Sequence, residues 1–422
     1  MKKITTVLFS LTILFLQAQL IEDSVSTNAN YATQSFYSLE NGEVSNVDNM
    51  NWDIAFSIAS TGASGSAILF NELNADLWAV PQDTSFWSAF DTTGYTSWKR
   101  LLNSDTTWTN GAYNKHRGMG PGGTFDMGWG YLDPSNNFWT LGDSLYLCKL
   151  NSGAFKKVWI ESLKQGVWSF RYADIDGSND TTISLTKADY SNKNFIYFSM
   201  ENNEIIDREP DNTTWELTFA AHKVLVVTPF SSFYTSSLSV YSNVDIWTAK
   251  AHSVTYADAI ATTEADTEFT QTINNIGGEW KSRVGGVWQV NDTISYFVYD
   301  NDSADFYRMV FTGFDGLSTG KSFFNKEKMG SVAINSIENN VNLSFYPNPA
   351  IENVTVLINI EKSEKCTINI VNVSGQLVSQ TSINANAGTL SKAIDVSNLN
   401  TGIYFIQVSG ETFNVSEKLL IK

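Results

Sequence analysis

Apolar and polar side chains alternate with a period of two over most of the chain. Runs such as SYFVYD, VWSFRY and TVLINI are separated by clusters of Asn, Asp, Gly, Ser and Thr. Because successive side chains of a β-strand point to opposite faces, this period is typical of half-buried strands, and the polar clusters favour turns. One helical candidate lies at residues 256–262. The pattern therefore predicts an all-β fold.

The strand pattern repeats loosely within the part of the chain that precedes residue 330. Four pairs of similar segments follow each other in the same order: FYSLENGEV (36–44) and YFSMENNEI (197–205), NWDIAF (51–56) and TWELTF (214–219), SWKR (97–100) and EWKS (279–282), FKKVWIES (155–162) and FYRMVFTG (306–313). The shared order favours an internal duplication over chance. We therefore predict a first β-rich half at 19–190 and a second at 191–330, with Trp52 and Trp215 as equivalent core residues.

The opening strands of both halves resemble those of the HmuY-like family of secreted bacterial haem-binding proteins. The resemblance rests on the strand–turn–strand segments and on the Trp–acid signature given above, and it covers roughly residues 30–330. It implies an all-β scaffold and makes haem, or another hydrophobic small molecule, the first candidate ligand. The protein is accordingly predicted to bind a ligand without acting as an enzyme.

Haem iron requires an axial His, Met, Cys or Tyr ligand. The chain has three histidines, His116, His222 and His252, and none of them aligns with a ligand of that family. The glycine-rich stretch HRGMGPGGTFDMGWGY places Met119 and Met127 close to His116, so these three residues form the predicted haem site. Alternatively, the stretch is a glycine-bent loop whose aromatic side chains cap the core.

A second candidate site is the acidic stretch DIDGSND at 174–180. Asp174, Asp176 and Asp180 offer hard oxygen ligands of the kind that Ca²⁺ prefers. The stretch lacks the spacing of an EF-hand loop, and a plain hairpin turn is the alternative.

Two further functional classes are open. The stretch ADLWAVPQDTSFWSAF carries Trp78, Phe86, Trp87 and Phe90. Because exposed aromatic side chains of this kind bind sugars, the second hypothesis is a carbohydrate-binding or adhesive protein. The alternative for these side chains is core packing. A hydrolase is the third reading, because carboxylates are plentiful although no nucleophile motif is present.

Composition limits the partners. The net charge of −17 argues against nucleic acid as a partner, because the phosphate backbone is itself negatively charged. The first residues, MKKITTVLFSLTILFLQAQ, combine two lysines with a short apolar run and are predicted to be a signal peptide ending at residue 18. No later stretch has the length and apolar character of a transmembrane segment.

The last part of the chain begins with FYPNPA and continues as short alternating strands, which predicts a small β-sandwich at 343–422 after a linker at 331–342. This block resembles the type A C-terminal sorting domain of type IX secretion cargo in the Bacteroidetes. The motif positions carried over from that family are Tyr346, Pro347, Asn348, Pro349, Gly375, Gly402 and Tyr404. The resemblance implies passage through the periplasm, recognition by the type IX secretion machinery, and attachment to surface lipopolysaccharide or release.

Overall fold

The computed structural model describes most of the chain. The described residues are 20–59, 65–115, 118–119, 125–228, 231–264, 267–300, 305–331, 343–360, 363–373, 376–385, 388–410 and 414–422. The predicted signal peptide and residues 332–342 of the predicted linker lie outside them. Nearly all regular structure in the described residues is antiparallel β-sheet, so the prediction of an all-β fold is confirmed.

The outer domain is a sandwich whose strands come from both sides of a long insertion. Its strands are β1 Ile21–Ser26, β2 Thr33–Ser38, β3 Gly42–Asp48, β18 Leu217–Val227, β19 Ser232–Ser242, β20 Trp247–His252, β21 Lys281–Val284, β22 Val287–Val290, β23 Ile294–Tyr299, β24 Asp305–Phe314 and β25 Lys321–Ser331. One sheet has the order β1-β25-β24-β23-β20, the facing sheet has the order β19-β18-β2-β3, and β21 and β22 form a separate hairpin. Their inner faces bury aromatic side chains, among which Trp280 stacks on Phe311 with ring centroids 4.0 Å apart.

The inserted domain lies between β3 and β18 in the chain and is a second sandwich. Its strands are β4 Ile54–Ser57, β5 Ile68–Phe70, β6 Ala75–Asp83, β7 Arg100–Leu101, β8 Gly118–Met119, β9 Phe125–Asp126, β10 Gly130–Asp133, β11 Trp139–Gly142, β12 Ser144–Leu150, β13 Phe155–Lys164, β14 Val167–Asp174, β15 Thr181–Thr186, β16 Phe195–Ser199 and β17 Glu204–Ile206. The small sheet β17-β16-β4-β5 covers a larger sheet formed by β6 to β15. Trp129 and Trp168 fill the space between them and are fully buried.

The terminal domain is the predicted small sandwich. Its strands are β26 Leu343–Tyr346, β27 Asn353–Ile360, β28 Glu364–Asn372, β29 Leu377–Ala385, β30 Gly388–Asp395, β31 Gly402–Ser409 and β32 Asn414–Ile421. The sheet β26-β27-β30 faces the sheet β29-β28-β31-β32 across a core of Val, Ile and Leu side chains, with Cys366 buried among them.

Helical structure is short throughout the described residues. The helical candidate of the sequence is one α-turn, Tyr256–Ala259, which begins at a capping box formed by Thr255 and Asp258. The 3₁₀-helices are Ala29–Tyr31, Thr84–Ala89, Tyr95–Ser97, Ala112–Asn114, Lys187–Tyr190 and Gly316–Ser318.

The first two pairs of similar segments meet across the two sandwiches. The hairpin β2–β3, which carries FYSLENGEV, pairs with β18, the strand that begins two residues after Trp215. The hairpin β16–β17, which carries YFSMENNEI, pairs with β4, the strand that begins two residues after Trp52. We call these pairings the exchanged junctions, and β18 and β4 their Trp strands. Tyr37 lies opposite Leu217, and Phe198 lies opposite Ile54. Since these are corresponding positions of the repeat, the two exchanged junctions share one register.

The polar contacts at the two junctions also correspond. The carboxylate of Glu216 accepts the N–H of Leu39 at 2.7 Å, and that of Asp53 accepts the N–H of Met200 at 2.6 Å. A buried asparagine then fixes each Trp strand. Asn243 donates to the carbonyl oxygen of Trp215 at 2.8 Å, and Asn71 donates to that of Trp52 at 2.9 Å.

Candidate functional site

A cavity of about 510 Å³ lies where the outer and inserted domains meet, beside both exchanged junctions. Its wall includes β2 and β18 of the outer domain and β16 of the inserted domain. The aromatic side chains that line it are Phe36, Trp52, Phe70, Trp108, Phe195, Tyr197, Trp215 and Tyr241. Such a wall with a few polar groups is typical of a small-molecule site.

The aromatic pairs of the wall follow the internal repeat. Trp52 meets Tyr197 edge to face with ring centroids 5.0 Å apart, and Trp215 meets Phe36 in the same way at 4.9 Å. Trp108 is half-buried, and its indole N–H donates to the carbonyl oxygen of Ser242 at 2.8 Å. Rings held from several sides present fixed surfaces to a ligand.

A buried arginine supports one end of this wall. The guanidinium of Arg208 lies 5.3 Å from the ring centroid of Trp52 and 5.1 Å from that of Tyr197. It donates to Gln34 Oε1 at 2.9 Å and to the carbonyl oxygen of Asp48 at 3.1 Å. Burial lowers the pKa of Arg208 to about 10, so the group stays charged at neutral pH.

Two buried carboxyl groups line the cavity. Glu209 accepts the backbone N–H groups of Asn194 at 3.1 Å and Phe195 at 3.0 Å, and burial raises its pKa to about 7. Glu72 accepts the N–H groups of Asn103 at 3.2 Å and Lys223 at 2.9 Å, and burial raises its pKa as well. Both carboxyl groups of the cavity therefore take up a proton more readily than an exposed carboxyl group does.

The internal symmetry fails at one donor. The indole N–H of Trp52 donates to Asn49 Oδ1 at 3.4 Å, whereas that of Trp215 is buried and has no acceptor among the described residues. Asn212, the equivalent of Asn49, instead donates to the carbonyl oxygen of Lys193 at 3.2 Å. Trp215 thus lines the cavity with a ring whose indole N–H is buried and has no acceptor among the described residues.

His222 also lines the cavity and is half-buried. Its Nδ1 is buried without a hydrogen-bond partner in the part of the chain that the structure describes. Burial lowers the pKa of the imidazole, which favours the neutral form. His252, by contrast, is exposed at the end of β20.

The predicted haem residues do not line this cavity as far as they are described. His116 lies outside the described residues, and Met119 belongs to the short strand β8. Met127 packs against the core of the inserted domain, where its sulfur accepts the hydroxyl of Ser66 at 3.3 Å. The haem site at these three positions stays a prediction.

The three aspartates of the acidic stretch lie at the turn between β14 and β15. Asp174 pairs with Lys156 at 2.7 Å, and Asp180 pairs with Arg171 at 2.6 Å. These hydrogen bonds hold the pKa of both carboxyl groups below the usual range. Asp176 accepts the hydroxyl of Ser178, which lowers its pKa likewise. No group of three His, Cys, Asp or Glu side chains in the described ranges has the arrangement of a metal site.

The aromatic stretch after β5 packs inward. Trp78, Trp87 and Phe90 are buried in a cluster on the outer side of the large sheet, and Phe86 is half-buried against it. The indole N–H of Trp87 donates to Asp180 Oδ2 at 3.3 Å.

The FYPNPA motif is exposed apart from its ends. Asn348 Oδ1 accepts the N–H of Leu420 at 2.8 Å, and its amide donates to the carbonyl oxygen of Lys418 at 3.1 Å, so the motif is fastened to β32. The motif positions Tyr346, Pro347 and Pro349 are exposed, Gly402 begins β31, Tyr404 donates its hydroxyl to the carbonyl oxygen of Asn400 at 3.1 Å, and Gly375 lies outside the described residues.

Residues 344–422 match the family model of the secretion system C-terminal sorting domain. The terminal domain is thus similar to this sorting-domain family over almost its whole length. This confirms the resemblance seen in the sequence and supports export of the chain by the type IX secretion system to the cell surface or the extracellular space.

Two solved structures show a distant likeness to the chain. Dimeric latent PorU from Porphyromonas gingivalis is 10% identical with a TM-score of 0.18, and the match covers 95% of this chain and 34% of that one. Escherichia coli alpha-2-macroglobulin activated by porcine elastase is 9% identical with a TM-score of 0.15, over 97% of this chain and 44% of that one. The chain thus spans less than half the length of either protein. No curated protein sequence matches it. Among the described residues, no helix has the length and apolar character needed to cross a membrane.

Proposed function

We propose that the protein is exported by the type IX machinery and binds a hydrophobic small molecule in the cavity between its outer and inserted domains. The observation that carries the proposal is the cavity itself, whose wall is built from both exchanged junctions. Eight aromatic side chains line it, together with aliphatic side chains and a set of polar and charged groups. Binding without catalysis is proposed because the sequence carries none of the nucleophile motifs of known hydrolases.

The unpartnered indole N–H of Trp215 restricts the chemical class of the ligand. A buried N–H without a partner costs about 1–3 kcal/mol. We propose that the ligand carries a carbonyl, carboxylate or hydroxyl oxygen that accepts the N–H of Trp215, for which the indole ring has to turn its buried N–H towards the cavity. The preferred ligand is therefore largely apolar with at least one hydrogen-bond acceptor.

Haem is the first ligand to test. The HmuY-like resemblance implies it, and His222 offers a neutral imidazole in the cavity wall with Nδ1 unpartnered. His116 with Met119 or Met127 is the second ligand set. Haemin is titrated into the full mature chain, its His222→Ala variant and its His116→Ala variant, and the Soret band is followed. A band lost with His222→Ala places haem in the cavity, and a band lost with His116→Ala places it at the glycine-rich stretch. Haemin binding that is weak and unchanged in both variants would remove haem as the ligand.

The rival functions have less support. A sugar-binding platform would need exposed rings, whereas Trp78, Trp87 and Phe90 are buried. A calcium site at Asp174, Asp176 and Asp180 competes with the Lys156 and Arg171 ion pairs.

The organisation of the chain is part of the proposal. We infer that the halves 19–190 and 191–330 arose by duplication and exchanged their first hairpins, which the shared register of the two junctions supports. The signal peptide at 1–18 and attachment of the mature protein to lipopolysaccharide complete the proposed route. Deleting residues 343–422 tests it, because the truncated chain should accumulate in the periplasm. Normal surface display of that chain would contradict the export route, and it would leave the proposal of a ligand cavity unaffected.

A further inference from the structure

The terminal domain contacts the outer domain through an apolar patch. Tyr299 and Phe306 of the outer domain pack against Ile403 and Phe405 of the terminal domain, and the rings of Tyr299 and Phe405 lie 5.9 Å apart. A cleft of about 600 Å³ opens beside this patch, with one wall from each domain. The cleft is separate from the proposed ligand cavity.

The side chains that line this cleft are rich in oxygen. The outer domain contributes Glu264, Thr267 and Glu268, and the terminal domain contributes several amide and hydroxyl groups, such as those of Asn398 and Thr401. No Lys, Arg or His stands among the described residues that line it. The cleft thus has two carboxyl groups and no cationic side chain in its wall.

Glu264 is the unusual member of this set. Its side chain is 3% exposed, and both carboxylate oxygens are buried without a hydrogen-bond partner in the described part of the chain. Its backbone carbonyl accepts the N–H of Thr267 at 2.9 Å and the hydroxyl of the same residue at 2.8 Å. A buried carboxylate without donors or a counter-charge is strongly unfavourable.

We propose that Glu264 and Glu268 bind a divalent cation of the calcium type at the junction of the outer and terminal domains. Ca²⁺ takes six to eight oxygen ligands in flexible geometry, including carboxylates, amide carbonyls and water. The cleft offers such oxygens and lacks the His and Cys ligands that Zn²⁺ and other transition metals prefer. The cation would supply the counter-charge that the Glu264 carboxylate lacks, and it would tie the two domains together.

Calcium titration of a chain that spans residues 19–422, with the terminal domain in place, tests the proposal. After treatment with a chelator, Ca²⁺ is added, and binding is measured by calorimetry beside the melting temperature. We expect one calcium ion to bind and to raise the melting temperature. Glu264→Gln should weaken binding at least tenfold, and Glu268→Gln should weaken it to a smaller extent because Glu268 is exposed.

The control is Glu22→Gln, which removes the same charge from an exposed position in β1. This variant should bind calcium as the wild type does. In chelator, Glu264→Gln should fold and be at least as stable as the wild type, because it removes a buried charge that has no partner. The proposal is overturned if the wild type gains no stability from Ca²⁺ or if Glu264→Gln binds it equally well.

Discussion

The two exchanged junctions share their backbone pairing and differ in the hydrogen bonding of their indole N–H groups. At both of them a hairpin pairs with a Trp strand in one register, an acid receives the N–H of the hairpin turn, and an asparagine fixes the Trp carbonyl. The difference lies at the indole N–H, which has a partner at Trp52 and, within the described ranges of the chain, none at Trp215. We propose that this departure serves the ligand cavity, which Trp215 lines.

The largest expected effect tests whether both Trp side chains belong to the packed wall. Trp52→Ala and Trp215→Ala should each lower the free energy of unfolding by about 3–5 kcal/mol, because each removes a buried ring. Chemical denaturation of both variants measures this. Val254→Ala is the control, since Val254 is 89% exposed and its truncation should cost little. A negligible loss at either Trp would break the equivalence of the junctions.

The asparagines sharpen the same comparison. Asn71→Ala and Asn243→Ala should each destabilise by about 2 kcal/mol, because each removes two buried hydrogen bonds to backbone carbonyl oxygens. Equal losses in the two variants would support equivalence. If one variant proved neutral while the other was destabilised, the two junctions would have different supports.

The acids of the junctions predict a pH effect. Burial raises the pKa of Glu216 from 4.5 to about 7, and it raises the pKa of Asp53 as well. Between pH 4.5 and about 7 the folded state therefore keeps a proton that the unfolded state has lost, so stability falls as the pH rises through this window and then levels off. Glu216→Gln should remove on the order of 2 kcal/mol of that fall. Melting curves of the wild type and the variant from pH 4 to 8 measure it, and parallel profiles would contradict the raised pKa.

Much of this comparison could be predicted from the sequence. Period-two alternation gave the β fold, the order of similar segments paired Trp52 with Trp215, and FYPNPA marked the start of the terminal domain. The exchange of hairpins could not be predicted, because local patterns do not reveal which of two similar hairpins a strand will pair with across more than 150 residues of chain, as β2 does with β18.

The cavity was also beyond local patterns. Arg208 and Glu209 belong to the run DREPDN, whose charge, proline and asparagine are typical of an exposed turn, yet both side chains are buried. Their polar groups pair with the side chain of Gln34 in β2 and with the backbone N–H of Asn194, just before β16. The glycine-rich stretch is distinctive in its composition, whereas the cavity residues are distinctive only in their surroundings in the fold.

The smallest expected effect compares the two indole donors without any ligand. Trp52→Phe loses the hydrogen bond to Asn49, and Trp215→Phe removes a donor that had no partner. Trp52→Phe should therefore be less stable than Trp215→Phe by about 1 kcal/mol. Thermal unfolding of the two variants measures the difference, and the reverse order would mean that the N–H of Trp215 is satisfied in solution.

The most direct test of the account is the affinity of the cavity for an apolar probe with an acceptor group. Anilinonaphthalene sulfonate is titrated into the full mature chain and into the Trp215→Phe and Trp52→Phe variants, and its fluorescence is followed. The account predicts one site in the wild type, binding weakened about 5- to 30-fold in Trp215→Phe, and binding changed less than about twofold in Trp52→Phe. Weak binding at many sites that neither substitution alters would contradict a ligand site in the cavity.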